Sequence, residues 1–238
     1  MTVMPAPLAT GRGSWTKRGM RTTRGMYERG SSWGVSSCDT QDKWAVNRGV
    51  LAIQVMLGYN GYPVQYASAA GVFGPLTDAS VIAFQNKFVA PADGIVGPNT
   101  SRALLRGFVA SEEKKNGIPN RYLWGQIGAE TGWDMGCIGY STPNDLGICQ
   151  FNLYFNQNVS PDQAMNPLYV IPISAQRLRT RYNEYLKLAG GNVELAWDAA
   201  ILSHNSPVRA RNLASTGTYP TAQAEDYVRK VKAAARIA

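Results

Sequence analysis

Apolar residues recur at helical spacing along most of the chain after about residue 44. Val50, Ile53 and Leu57 lie three or four positions apart, a spacing that places all three on one face of a helix. The same spacing predicts three later helices, at about 168–188, 193–204 and 222–235. The pattern therefore predicts a mainly α fold.

One predicted helix ends on an acidic residue that belongs to its apolar face. Glu130 closes the run YLWGQIGAE at 122–130, seven positions after Leu123 and three after Ile127. Helical spacing puts its carboxyl on the inward face that those two residues mark. An acid on a buried face must be paired, neutralised or functional. We expect Glu130 to stay protonated, because its neighbours exclude water and the last turn of a helix disfavours negative charge.

A second acid, Asp145, ends the turn-like sequence STPND fifteen positions later. An Asn-Asp pair after Pro is ordinary turn chemistry, so a catalytic role and a structural role are both open for Asp145. Two carboxylates in different surroundings are the minimum that cleavage of a glycosidic bond requires. The pair therefore indicates a glycosidase.

A Gly-Pro turn occurs twice in the first half of the chain. The sequence GVFGPLT at 71–77 is followed 23 positions later by GIVGPNT at 94–100. Each copy reads as a tight turn that ends at a threonine, Thr77 or Thr100, able to cap the next helix. Together with Phe84 and Gln85, these turns closely resemble the small three-helix peptidoglycan-binding domain found beside many wall hydrolases. The resemblance covers about 60 residues within 44–109 and implies that this segment holds peptidoglycan.

The region around the two acids resembles the lysozyme-like superfamily. The strings ETGWD at 130–134 and DLGICQFN at 145–152 are similar to its E-[ST]-x-x-[ND] and D-x-G-[IL]-x-Q-x-N motifs. The resemblance places Glu130 on the general acid. It places Asp145 on the second carboxylate of animal-type lysozymes, an acid that lytic transglycosylases commonly lack. It also implies that Gln150 and Asn152 border the sugar cleft.

Further motifs extend this resemblance over about 110–238. The string AILSHNSP at 200–207 is similar to the transglycosylase segment A-x-x-Y-N-x-G, with Asn205 on the family Asn and His204 in place of the Tyr. The string YVRKV at 227–231 is similar to the closing helix. The implied fold is a lysozyme-like catalytic domain, helical with a short hairpin. Tyr140 and Tyr154 are further candidates for sugar contact, because aromatic faces suit sugar rings, although ordinary packing is equally open to both.

Half of the net charge of +8 lies in an Arg- and Gly-rich arm at 1–43, which holds seven Lys and Arg against three acids. A basic balance suits nucleic acid or an acidic cell wall. We expect a solvated or partner-docked tail rather than a nucleic-acid contact, and docking to a virion is one possible role.

Composition also excludes several classes of protein. A single histidine, His204, argues against a zinc hydrolase, so we expect no metal and no cofactor. Three cysteines do not form an even disulfide framework. Cys137 and Cys149 could pair, or both could be buried thiols. No apolar run approaches the roughly 18 residues of a membrane span, and we recognise no secretory signal.

The sequence as a whole predicts a modular cell-wall lytic enzyme with an arm at 1–43, a peptidoglycan-binding domain at 44–109 and a catalytic domain at 110–238. We expect it to cut the β-1,4 bond between N-acetylmuramic acid and N-acetylglucosamine. It resembles a bacteriophage endolysin, which waits in the host cytoplasm before it reaches the wall. The alternatives are a lytic transglycosylase that releases 1,6-anhydro products, a virion-associated lysin and a structural wall-binding protein.

Overall fold

The computed structural model describes residues 43–64, 70–139 and 144–237. Residues 1–42 of the predicted arm lie outside the described residues, and so does Tyr140. Within the described residues the chain forms nine helices and one small antiparallel sheet. The predicted mainly α fold is therefore confirmed.

The helices are, in chain order, α1 (Lys43–Tyr59), α2 (Pro75–Phe88), α3 (Pro98–Asn116), α4 (Tyr122–Thr131), α5 (Pro161–Ala164), α6 (Pro167–Leu188), α7 (Val193–Asn205), α8 (Pro207–Thr216) and α9 (Ala222–Ala235). Five of these helices begin with proline, whose fixed φ suits the first helical position and whose missing N–H is not needed there. The three later helices predicted from apolar spacing correspond to α6, α7 and α9. The sequence analysis did not predict α5 and α8.

The chain divides into two compact units that alternate along the sequence. One unit combines the described part of Met1–Leu105 with Trp133–Leu168, and the other combines Arg106–Gly132 with Tyr169–Ala238. The predicted boundary between residues 109 and 110 falls inside α3. The division into an arm, a binding domain and a catalytic domain stays a prediction.

In the first unit, one glutamine holds each of the two Gly-Pro turns. Gln54 on α1 accepts the Gly71 N–H at 3.0 Å and donates to Thr77 Oγ1, also at 3.0 Å. Gln85 on α2 does the same for the second turn, with Gly94 at 2.8 Å and with the second threonine at 3.0 Å. The repeat therefore reflects a repeated glutamine clamp.

This clamp corrects the predicted role of Thr77 and Thr100. Helix α2 has Gly74 as its N-cap residue and no side-chain cap, and Thr77 is buried in the first turn. Its hydroxyl accepts the glutamine amide and faces the Val72 carbonyl oxygen at 3.4 Å. The threonine therefore joins its turn to the preceding helix and does not cap the next one.

The remainder of the first unit contains the short hairpin. Strand β1 (Asp145–Leu146) pairs antiparallel with β2 (Phe151–Asn152). Side chains tie this part to the helices of the same unit. Arg48 on α1 forms an ion pair with Asp162 on α5 at 2.7 Å, and Ser101 Oγ donates to the Trp133 carbonyl oxygen at 2.5 Å. Cys149 is a buried thiol, so it is not joined to Cys137.

In the second unit, α4 lies closely against α9. A methyl group on Gly125 would collide with the carbonyl oxygen of Val231 and with Ala235, so only glycine permits this approach. The indole N–H of Trp124 donates to the Ile237 carbonyl oxygen at 3.0 Å. The close contact brings the end of α4 beside the first half of α9, which positions the candidate site.

Candidate active site

Glu130 is the penultimate residue of α4, and its side chain is 20% exposed. Leu123 and Ile127, on the same helix face, are almost completely buried. The helix ends through Gly132, whose φ of 61° lets its N–H reach back to the Gly128 carbonyl oxygen at 3.0 Å. The carboxyl therefore lies at the margin of the core, where it keeps partial access to solvent.

Tyr227 on α9 holds the carboxyl in place. Its hydroxyl donates to Glu130 Oε1 at 2.5 Å, across 97 positions of sequence. The Gln126 amide, one turn earlier on α4, donates to the same hydroxyl. Burial, and then the charge and hydrogen bond of Glu130, raise the pKa of Tyr227 well above its usual range. The phenol is therefore a permanent donor to the glutamate near neutral pH.

His204 approaches the same carboxylate oxygen. Its Nε2 lies 3.6 Å from Glu130 Oε1, and its side chain is 33% exposed at the C-terminal end of α7. The two groups form an ion pair when the imidazole is protonated. A phenol and an imidazole from different helices thus approach one oxygen of the glutamate, the phenol at hydrogen-bond distance and the imidazole farther away.

Asn205 is the last residue of α7 and is exposed. The next two residues begin another helix. The Ser206 hydroxyl accepts the Arg209 N–H at 3.4 Å as the N-cap of α8, and Pro207 occupies its first position. Pro207 stands where the similar transglycosylase segment has glycine, and here it begins α8.

The hairpin brings together two of the predicted site residues in the first unit. Asp145 and Asn152 are cross-strand partners, and Asn152 Nδ2 donates to Asp145 Oδ1 at 2.6 Å. The amide thereby fixes the orientation of the carboxylate, which is half-buried. This contact gives the last amide of the D-x-G-I-x-Q-x-N string a role within the hairpin, and the contact of Asn152 with sugar stays a prediction.

Gln150 shapes the turn between the two strands. It is buried with a φ of 46°, and its Nε2 donates to the Gly147 carbonyl oxygen at 3.1 Å. The amide therefore stabilises its own turn, and its contact with sugar stays a prediction. The predicted site residues divide between the units, with Glu130, His204 and Asn205 in one and Asp145, Gln150 and Asn152 in the other.

Sequence reasoning missed two residues around Glu130. Tyr227 was placed only in a closing helix, and the motif YVRKV was the signal that could have marked it. Glu113 lies in the charged sequence SEEKKNG at 111–117, yet it is buried, and its Oε1 accepts the Trp124 N–H at 2.9 Å.

Glu113 caps the start of α4 from another helix. Arg121, the N-cap residue of α4, has a φ of 57° and supplies no side-chain cap. Burial raises the pKa of Glu113, although the N–H groups of Trp124 and Leu123 and the charge of Arg121 oppose this rise. The side chain borders a small hollow in the second unit, of about 290 Å³, lined by Arg106, Val109, Ala110, Glu113, Arg121 and Trp124.

Comparison with known proteins identifies one segment. Residues 47–104 match a family described as putative peptidoglycan binding domain. The match falls inside the predicted 44–109 and contains both glutamine-clamped turns. It confirms a peptidoglycan-binding domain. No curated protein matches the chain.

Among the helices of 43–64, 70–139 and 144–237, none is both long and apolar enough to cross a membrane. Over these same ranges, no three His, Cys, Asp or Glu side chains come together as a metal site would require.

Proposed function

We propose that the protein is a cell-wall lytic enzyme that cleaves the β-1,4 bond between N-acetylmuramic acid and N-acetylglucosamine of peptidoglycan. The observation that carries the proposal is the half-buried Glu130 carboxyl, positioned by the Tyr227 hydroxyl and approached by His204. An acid held in this way, in a chain that also contains a peptidoglycan-binding domain, suits proton donation to a glycosidic oxygen.

In this proposal the two carboxyl oxygens have different roles. Oε1 accepts the phenol, which supports Oε2 as the atom that would carry and deliver the proton. Proton transfer converts Glu130 into a carboxylate, and the hydrogen bond to Oε1 then stabilises the new charge. A protonated His204, 3.6 Å from the same oxygen, adds to that stabilisation. Both groups therefore favour the state that follows proton transfer.

Asp145 is the proposed second carboxylate. In a hydrolase it would activate water or stabilise the cation-like transition state. Its hydrogen bond from Asn152 keeps the carboxylate in one orientation, which suits this role and also suits a purely structural one. The second candidate reaction is therefore that of a lytic transglycosylase, in which Glu130 is the only catalytic acid and the product is a 1,6-anhydro sugar.

The peptidoglycan-binding domain supplies a tether. Attachment to an insoluble polymer raises the local substrate concentration without any new contact at the catalytic residues. We propose that the enzyme acts as a bacteriophage endolysin, which waits in the host cytoplasm and degrades the wall at lysis. A virion-associated lysin is the alternative, and the basic arm at 1–43 would then dock to the virion.

Clearing of purified cell walls tests the catalytic proposal. Glu130→Gln keeps the size of the side chain and removes the proton that it can donate, so clearing should cease while the protein still binds walls. Glu225→Gln, on an exposed residue of α9, is the matched control and should clear walls normally. Unchanged clearing by Glu130→Gln would show that another residue is the acid.

Mass spectrometry of the released fragments separates the reactions. A reducing-end sugar indicates hydrolysis, a 1,6-anhydro sugar indicates transglycosylation, and free stem peptides would exclude both. A wild-type protein that binds walls and releases nothing would instead be a wall-binding protein without catalysis. The family match at residues 47–104 makes this the strongest rival.

A further inference from the structure

Two adjacent aromatic side chains project into solvent just after β2. Tyr154 is 68% exposed and Phe155 is 79% exposed. Their ring centroids lie 5.1 Å apart, with an angle of 90° between the ring planes. Large aromatic side chains that remain in water at adjacent positions form an apolar surface, and such a surface indicates an interaction site.

The backbone beneath the two rings is held in one conformation. Asn152 Oδ1 accepts the N–H groups of Tyr154 at 2.9 Å and of Phe155 at 3.3 Å. The Asn152 carbonyl oxygen accepts the Asn156 side chain at 2.5 Å. A surface fixed before binding loses less conformational entropy when it binds.

The chemistry around the rings is neutral and rich in amides. From Leu146 to Pro161 the sequence contains no Asp, Glu, Lys, Arg or His. Gln157 and Asn158 are exposed beside the aromatic pair. Nucleic-acid binding relies on Lys and Arg that neutralise phosphates, and this segment has none. A neutral sugar with hydroxyl and N-acetyl groups and an apolar ring face matches both the aromatic rings and the amides.

The same compact unit contains the peptidoglycan-binding domain. The ion pair between Arg48 and Asp162 joins the first helix of that domain to α5, the helix that follows the aromatic segment. Asn152, which orients the aromatic segment, also donates to Asp145. The aromatic pair therefore has structural connections to the wall-binding domain and to the proposed second carboxylate.

We infer that Tyr154 and Phe155 form an aromatic platform on which an amino-sugar ring of a peptidoglycan strand stacks. The inference rests on the proposed function for the identity of the polymer. The platform supplies the apolar contact, and the neighbouring amides of Gln157 and Asn158 supply hydrogen bonds to the sugar. Binding through this segment should depend little on ionic strength, because residues 146–161 carry no charged side chain.

The test measures binding without cleavage. The parent is the full chain with the single substitution Glu130→Gln. Tyr154→Ala and Phe155→Ala are each added to this parent. Each variant is then compared with the parent by cosedimentation with purified peptidoglycan and by titration with a soluble N-acetylglucosamine oligomer. We expect the affinity for the oligomer to fall about tenfold in each alanine variant. Phe155→Trp keeps an aromatic ring at the position and should bind the oligomer like the parent. Val193→Ala removes a 55% exposed apolar side chain outside the platform and should bind like the parent.

Three outcomes would overturn the inference. Oligomer binding that is unchanged in Tyr154→Ala, Phe155→Ala and their double variant would show that sugar does not use this surface. A change of oligomeric state in the double variant, seen by sedimentation velocity, would assign the surface to self-association. Oligomer binding that is lost at about 0.5 M salt in the parent would assign it to charged groups instead.

The experiment also separates the platform from the proposed enzyme activity. Loss of binding in the platform variants supports the platform even when the wild-type protein releases no muropeptides. Normal wall clearing by the wild-type protein supports the enzyme even when both alanine variants bind normally.

Discussion

Replacing Tyr227 with phenylalanine removes one hydroxyl from the candidate site and leaves the ring in place. That hydroxyl donates to Glu130 Oε1 at 2.5 Å and accepts the amide of Gln126. A hydrogen bond to a charged group contributes about 1.5–3 kcal/mol. Because about 1.36 kcal/mol of activation free energy corresponds to a factor of ten in rate, kcat should fall roughly 10- to 150-fold.

The assay measures initial rates of wall clearing against wall concentration. Tyr227 acts through Glu130 rather than on sugar, so the variant should lower kcat and change KM little. It also leaves the buried Gln126 amide without its acceptor, so the free energy of unfolding should fall by about 1–3 kcal/mol. Thermal unfolding followed by circular dichroism measures that loss and shows that the variant still folds.

Tyr219→Phe is the matched control. The Tyr219 hydroxyl donates to Asp198 Oδ2 at 2.8 Å, so the control removes the same atoms from another phenol–carboxylate pair. It should lose stability and keep its kcat. A folded Tyr227→Phe that clears walls within about twofold of the wild-type rate would refute the positioning argument, since about 0.4 kcal/mol is too little for this hydrogen bond. An equal fall of kcat in both variants would attribute the effect to stability.

Two further predictions concern the helix that carries Glu130. Burial raises the pKa of the Glu113 carboxyl above its ordinary 4.5. The folded chain therefore binds the carboxyl proton more tightly than the unfolded chain. The stability that this proton contributes is lost as pH rises from 4.5 through the pKa of the folded state. Glu113→Gln keeps an oxygen that can accept the Trp124 N–H but does not titrate. The Tm of the variant should therefore rise relative to the wild-type Tm as pH increases from about 4 to about 7. A Tm difference that is the same at every pH would show that Glu113 does not titrate in this way. Gly125→Ala should cost about 1–3 kcal/mol of unfolding free energy, because the methyl group meets Val231 and Ala235 on α9. The control is Gly107→Ala on α3, because a methyl group there meets no other atom. Equal stability of the two variants would show that α4 and α9 can move apart at little cost.

Apolar spacing was sufficient to predict the helical architecture, because a helix face is a local property of the sequence. The bounds of α6, α7 and α9 agree with that spacing to within about two residues, the usual uncertainty of helix ends. The recurrence of GVFGPLT and GIVGPNT likewise marked the peptidoglycan-binding domain, since tight turns depend on the residues within them. The predicted capping role of the two threonines was wrong, because their hydrogen-bond partners, Gln54 and Gln85, lie on preceding helices.

The candidate site depended on contacts between distant residues. Apolar spacing identified Glu130 as unusual, but nothing in the local pattern pairs it with Tyr227, 97 positions away. Nothing in the charged sequence at 111–117 marks Glu113 as buried, yet it caps a helix whose own N-cap residue provides no side-chain cap. Capping from another helix leaves no signal in either local sequence.

The sequence by itself determined where the helices form, which turns hold the wall-binding domain and which acid deserves a catalytic hypothesis. Only the tertiary structure decided which groups meet that acid and how the chain divides into two alternating units. The physical reason is that periodicity and turn chemistry act within about a dozen residues. The pairing of α4 with α9 instead depends on a glycine that lets two backbones approach, and only the packed helices reveal which side chains that approach brings together.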